Sequence, residues 1–97
     1  MTIIEVLPQA DYERAHLPHA INISLKDIDL LVPRLVPNKW EDIVVYCNGP
    51  TCDASEKAAR LLVSLGYKNV KRYAGGKSDW IDSGLPVQGT EYRGKAA

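Results

Sequence analysis

Cysteine is scarce in this sequence, charge of either sign is in balance, and no apolar run is long. Each shortage removes a class of protein. Only Cys47 and Cys52 occur among the 97 residues, with four residues between them. Such a pair could close only a tiny loop, a poor structural staple, so a disulfide-built scaffold is excluded. Lys and Arg number 12 and so do Asp and Glu. A formal net charge of zero supplies no basic field for nucleic acid and no attraction to an anionic membrane surface. The longest apolar stretches, such as 43–47, fall far short of a bilayer span. Met1 leads straight into Thr2-Ile3-Ile4-Glu5-Val6 without the basic segment and apolar run of a secretory signal, so the expected location is cytoplasmic. There, two neighbouring thiols read as reactive rather than as scaffold. Internal repeats and low-complexity segments are absent too.

What is present fits one domain with one core. Ile3 to Val6 is a short β-rich run stopped by Leu7-Pro8, and Gln9 to Ala15 can make a helix of barely two turns before His16-Leu17-Pro18-His19 breaks it. Ala20 to Ser24 alternates as a half-buried strand does. Ser24 with Asp27 resembles a capping box for a helix through Ile28 and Leu31, which Val32-Pro33 should end or kink. Ile43-Val44-Val45-Tyr46 is a continuous β-branched run, the pattern of a strand covered on both faces. After the loop 48–53, Ala54, Ala58, Leu61, Leu62 and Leu65 recur at helical spacing. Asp53 or Ser55 can cap that helix, and Gly66 suits its C′ position. Val70 to Tyr73 is a further strand, Gly75-Gly76 a tight turn, and Lys77 to Ser83 a short helix. Strands alternating with helices predict a parallel α/β sheet, in which ligands bind at the carboxyl ends of the strands.

Cys47 occupies such an end, as the last residue of the most buried strand, just before a loop and a helix N-terminus. A thiol is nucleophilic as thiolate, and a helix N-terminus favours that anion. The loop from Asn48 to Asp53 can turn its amides inward as an anion nest, with Gly49 permitting an unusual backbone. The alternative is a buried structural cysteine.

At this point the sequence becomes recognisable. Ile43-Val44-Val45-Tyr46-Cys47, then Gly49, Ser55, Ala58-Ala59 and Leu62, resembles the active-site strand, loop and helix of rhodanese-like domains. Gly66-Tyr67-Lys68-Asn69-Val70, Gly75-Gly76, Trp80 and Gly84-Leu85-Pro86-Val87 look like that family's closing signature. Tyr12, His16-Leu17-Pro18, Ala20 and Ile21-Asn22-Ile23 match its helix–turn–strand opening. The resemblance implies a three-layer α/β domain over 1–87, its central, mainly parallel sheet flanked by helices, with 88–97 as a loose tail. It implies a sulfurtransferase in which Cys47 accepts a sulfane sulfur as a persulfide. The donor would be polysulfide, a persulfide or thiosulfate, and the acceptor a thiol or a protein. Asn48, Gly49, Pro50, Thr51, Cys52, Asp53, Ala54 and Ser55 would form the substrate-binding loop, and neither metal nor organic cofactor is required.

Departures from the family pattern shape further expectations. The loop looks like the Cys-x-Gly-Pro-x-Cys variant of some bacterial rhodanese-like proteins. It holds Asp53 and no Arg or Lys, which should favour polysulfide over dianionic thiosulfate. The Asp-Val-Arg opening motif is here Glu5-Val6-Leu7, without its ion-pairing Arg, and Glu5 is expected to bond loop amides. The family's usual first strand and helix are expected to be missing, as in a short version of the domain or a truncated one. Cys52 either resolves a Cys47 persulfide, forms a regulatory disulfide, or merely packs under the loop. His16 is expected to bond backbone at a turn, and Trp40 and Trp80 to pack in core or rim. A non-catalytic interaction or redox-regulatory module is the competing reading. Phosphatase or arsenate reductase chemistry would need an Arg to clamp an oxyanion, and the nearest along the chain, Arg60, lies within the following helix.

Overall fold

The computed structural model describes residues 1–90. Strand β1 (Thr2–Glu5) leads to helix α1 (Gln9–Arg14), then to β2 (Ile21–Asn22). A single 3-10 turn, Leu25–Asp27, runs into α2 (Ile28–Leu35), followed by β3 (Asp42–Tyr46), α3 (Ala54–Ser64), β4 (Asn69–Arg72) and α4 (Gly76–Asp82). The four strands form one parallel sheet in the order β2-β1-β3-β4. From β1 the chain crosses to β2 on one side, and from β3 to β4 on the other. The topological switch point therefore lies between the carboxyl ends of β1 and β3, where open α/β sheets bind ligands. Among the described residues no helix is long and apolar enough to cross a membrane.

Period-two alternation sends side chains of each strand to opposite faces. Ile4, Val6, Ile43, Val45 and Cys47 share one face, where Ile28, Val32, Ala58 and Leu62 of α2 and α3 complete the main core. On the other face Tyr46 packs with Leu17, Ala20, Tyr12, Tyr73 and Trp80 in a smaller cluster. The result is the expected three-layer arrangement.

Local differences from the sequence expectations have physical reasons. Helix α2 does not end at Pro33 but contains it. The donor that Pro33 lacks would have bonded the carbonyl of Asp29, an exposed first-turn residue that water can satisfy. Burial of Ile28, Val32 and Val36 holds the helix through that position. Strand β2 has only two residues, Ile21–Asn22, and the Asn22 side-chain amide bonds the carbonyls of Glu5 and Leu7 at the end of β1. Ser24 bonds the Asp27 carboxylate rather than a backbone amide, so no capping box forms. Gly66, at φ 99°, ends α3 as expected: its N–H reaches the Val63 carbonyl and that of Tyr67 reaches Leu62, a Schellman pair. Gln88 exchanges both backbone hydrogen bonds with His16, and Thr90 N–H bonds Glu13, so 88–90 are tied to α1. The rest of the expected tail lies outside the described residues.

Candidate functional site

Cys47 follows β3 directly, one residue later than the strand itself, and is 1% exposed. Two elements fix the backbone around it. Tyr46 accepts the N–H of Val6, just beyond β1, and the start of α4 bonds the next two carbonyls: Lys77 N–H to Cys47 and Ser78 N–H to Asn48, at 2.9 and 2.8 Å. That approach requires glycine twice. Gly76 sits at φ 64°, and a Cβ there would lie 2.5 Å from the Cys47 carbonyl. Gly49 does not have the left-handed backbone the loop reading expected. It is glycine because a Cβ would meet Ser78 Oγ at 2.8 Å.

The Cys47 sulfur has polar neighbours on several sides. Its single thiol proton has two acceptors in reach, the Cys52 carbonyl at 3.3 Å and Ser55 Oγ at 3.5 Å. Burial pushes the Cys47 thiol up, but hydrogen bonds from the Cys52 thiol, the Ser55 hydroxyl and the amides of Ser55 and Asn48 outweigh it, holding the thiol below its ordinary range. Cys52 is shifted the other way, by burial first and by its bond to Cys47 second. Both cysteines are free thiols.

Of the expected loop residues, Asn48, Cys52, Ala54 and Ser55 therefore converge on the two sulfurs, with the Ala54 amide serving Cys52. Gly49 packs beneath and accepts Cys52 N–H at 3.1 Å. Pro50 and Thr51 form the exposed turn, and nothing brings them to the sulfur. Asp53 and Ser55 were both possible caps for α3, yet neither side chain caps it. Asp53 takes the N-cap position but pairs with Lys57 at 3.4 Å in solvent, while Ser55 is buried against the sulfur.

One residue escaped the sequence reading. Val70 faces α3, so Arg72, two positions on, faces the same side at the carboxyl end of β4. Its Nε donates to Ser55 Oγ at 2.9 Å and its Nη2 to the Cys52 carbonyl at 3.3 Å. Ser55 Oγ, accepting from Arg72, keeps its own proton for the sulfur, and the guanidinium offsets a carbonyl dipole aimed at Cys47. The loop has a cation after all, supplied by a neighbouring strand. Arg60 instead pairs with Glu56 on the exposed face of α3.

On the opposite face Glu5 does not bond loop amides. Its carboxylate, fully buried, accepts from Tyr46 Oη at 2.7 Å and from Lys77 Nζ at 3.0 Å. Lys77 also donates to the Asp11 carbonyl, and Tyr46 Oη receives Leu17 N–H. The pairing cation missing from the opening motif thus arrives from α4. His16 bonds the Tyr12 carbonyl through Nδ1, as expected. Trp80 Nε1 bonds Pro86 and its ring meets Tyr73 edge-on, a rim position, whereas Trp40 is 68% exposed. A cavity of 650 Å³ opens at the carboxyl ends of β1 and β2, walled by Val6, Leu7, Asn22, Ser24, Leu31 and Ala54 among others. Ala54, two residues after Cys52, joins it to the loop.

Comparison with known proteins agrees with this arrangement. The chain is 34% identical over 87 residues to the HTH-type transcriptional regulator Rv0324 of Mycobacterium tuberculosis, covering 90% of this chain and 37% of the regulator. It is 36% identical over 76 residues to the thiosulfate sulfurtransferase PspE of Escherichia coli, covering 78% of this chain and 70% of that protein. The chain thus spans little more than a third of the regulator's length. A structure described as rhodanese with anions from E. coli superposes with a TM-score of 0.77 at 31% identity, over 92% of this chain and 98% of that one. The sequence pattern of the family described as Rhodanese-like domain matches residues 1–83. A parallel sheet in the order 2-1-3-4, a thiol at its switch point and this match lead to one assignment: the chain belongs to the rhodanese-like domain family, which includes sulfurtransferases.

Proposed function

We propose that the protein is a sulfurtransferase that carries a sulfane sulfur as a persulfide on Cys47. The Cys47 thiolate attacks the sulfane sulfur of thiosulfate, a persulfide or a polysulfide. The bond from that sulfur to its former partner breaks, and sulfite, a thiolate or a shorter polysulfide leaves with the electron pair. The Asn48 and Ser55 amides and the Ser55 hydroxyl then face the anionic Cys47–S–S⁻ group. A thiolate acceptor, from a small thiol or a protein, attacks the outer sulfur and returns Cys47 to its starting state.

The observation that carries this reading is a fully buried thiol whose hydrogen-bond donors overcome the cost of burial. A purely structural cysteine needs no such set. With Arg72 at the loop and Asp53 turned to Lys57, the loop offers a dianion a cation rather than a lone carboxylate. Thiosulfate is therefore a competent donor beside polysulfide. The name of the relative PspE supports that choice.

The test is steady-state transfer from thiosulfate and from polysulfide to one thiophilic acceptor, in wild type and Cys47→Ser. Turnover in wild type and background rates in the variant are expected, since a hydroxyl is a poor nucleophile at neutral pH. Undiminished turnover by Cys47→Ser would remove Cys47 from the mechanism. No turnover by wild type with either donor would favour a non-catalytic binding module.

A further inference from the structure

We propose that Cys52 gives the site a second activity: it attacks the Cys47 sulfur of the persulfide, expels the outer sulfur as sulfide, and leaves a Cys47–Cys52 disulfide. This rests on the Cys47 persulfide proposed above.

The geometry supplies the first argument. The Cys47 sulfur, the inner sulfur of any persulfide formed there, lies 3.3 Å from the Cys52 carbonyl oxygen, and the Cys52 thiol acts on it as a hydrogen-bond donor. The turn between the two residues is closed by Cys52 N–H on the Gly49 carbonyl, and Arg72 Nη2 holds the Cys52 carbonyl. Cys52 is therefore held against Cys47 by elements on both flanks, β3 and β4. Cys52 is also packed against the core cluster that contains Cys47, so the approach is not a chance contact of a surface turn.

Chemistry supplies the second. Cys52 retains its proton because burial and the bond to Cys47 both hold its thiol up. In the resolving step the Cys52 S–H proton passes to the outer sulfur, the Cys47–sulfur bond breaks, and the Cys47–Cys52 bond forms. Cys47–S–S⁻ and Cys52–SH become the disulfide and HS⁻, with atoms and charge conserved. The outer sulfur is reduced to sulfide while the Cys52 thiol is oxidised to the disulfide level that Cys47 already has. Hydrogen sulfide is more acidic than an alkyl thiol and so is the better leaving group.

Access supplies the third. Cys47 is sealed at 1% exposure, whereas Cys52 is only half-buried. A protein dithiol of the thioredoxin class can reach the half-buried partner, open the disulfide by exchange and restore both thiols. The net reaction is reductive release of sulfide from a polysulfide or persulfide donor at the expense of that dithiol.

The experiment uses wild type and Cys52→Ser, loaded anaerobically with polysulfide and freed of excess donor. Intact mass, peptide mapping and released sulfide are then followed over time without added reductant. Wild type is expected to lose its added sulfur, to gain a disulfide two hydrogens lighter than the dithiol form, and to release sulfide in matching amount. Cys52→Ser is expected to keep the sulfur on the Cys47 peptide. The wild-type balance of disulfide to sulfide stands as a test even if the variant misfolds. Persistence of the added sulfur in wild type as long as in the variant overturns the proposal but leaves the Cys47 persulfide standing. Migration of the sulfur to the Cys52 peptide overturns it too. Failure of both proteins to acquire sulfur on Cys47 overturns this proposal and the persulfide reading together.

Discussion

Tyr46 and Cys47 are consecutive, buried and polar, yet they point to opposite faces of the sheet and enter opposite kinds of environment. Tyr46 joins a closed set. Its hydroxyl, the Glu5 carboxylate and the Lys77 ammonium satisfy one another and neighbouring backbone, and positive meets negative. Among the described residues no buried side-chain N or O atom is left without a partner. Cys47 joins an open set, in which donors and a distant cation surround a group that is neutral until it loses a proton. A buried charge matched by its opposite fixes the fold, while donors gathered on an uncharged nucleophile prepare it to react.

The sharpest way to break the contrast is to remove one member from each side. Cys47→Ser should abolish transfer while shifting thermal stability little, since the exchange is nearly isosteric. Lys77→Ala should do the reverse to stability, leaving Glu5 buried beside Tyr46 without a counter-charge. Loss of a buried partner of this kind costs about 3–5 kcal/mol. Urea unfolding of the two variants checks the pair. Equal destabilisation by both would dissolve the distinction.

A smaller effect is expected at Arg72. Arg72→Met removes two charge-assisted hydrogen bonds from the loop, each typically worth about 1.5–3 kcal/mol where fully used. Thiosulfate turnover should fall by roughly 10- to 100-fold in kcat/KM, and polysulfide turnover less. Equal losses with both donors would assign Arg72 to loop structure alone.

Next comes the pH dependence. A lowered thiol pKa leaves more thiolate at neutral pH, so alkylation of Cys47 should rise with pH and level off earlier than for free cysteine. Ser55→Ala removes a donor while burial remains, and should move the midpoint up. A midpoint that stays in place would take Ser55 out of the activation. The smallest effect is expected at Asp53. Its side chain is 69% exposed and paired with Lys57, so Asp53→Asn should change thiosulfate turnover less than about twofold. A selective improvement with thiosulfate would restore the reading in which loop charge governs donor choice.

These expectations also show where the sequence was legible. Hydrophobic period and glycine placement located β3, α3 and the Gly66 stop, because these depend on neighbours within a few residues. The run 43–46 placed Cys47 at a strand end for the same reason. The partners did not lie on the same stretch. Arg72 reaches Ser55 across 17 residues and Lys77 reaches Glu5 across 72, so loop composition suggested a site without a cation, and the opening motif a Glu5 that bonds loop amides. Strand parity offered a signal for Arg72: Val70 inward implies Arg72 on the same face. Gly49 was rightly singled out for the wrong reason, since the close approach of Ser78 comes from α4 and not from the loop's own backbone.

The most direct test of the central claim is to trap the sulfur on the chain. Wild-type protein would be mixed briefly with a limiting amount of polysulfide, quenched with an alkylating agent, and mapped by mass spectrometry of its peptides. At the earliest times one extra sulfur atom should appear on the peptide bearing Cys47. Added sulfur found first on Cys52 alone, or on neither cysteine while transfer to the acceptor proceeds, would contradict the account.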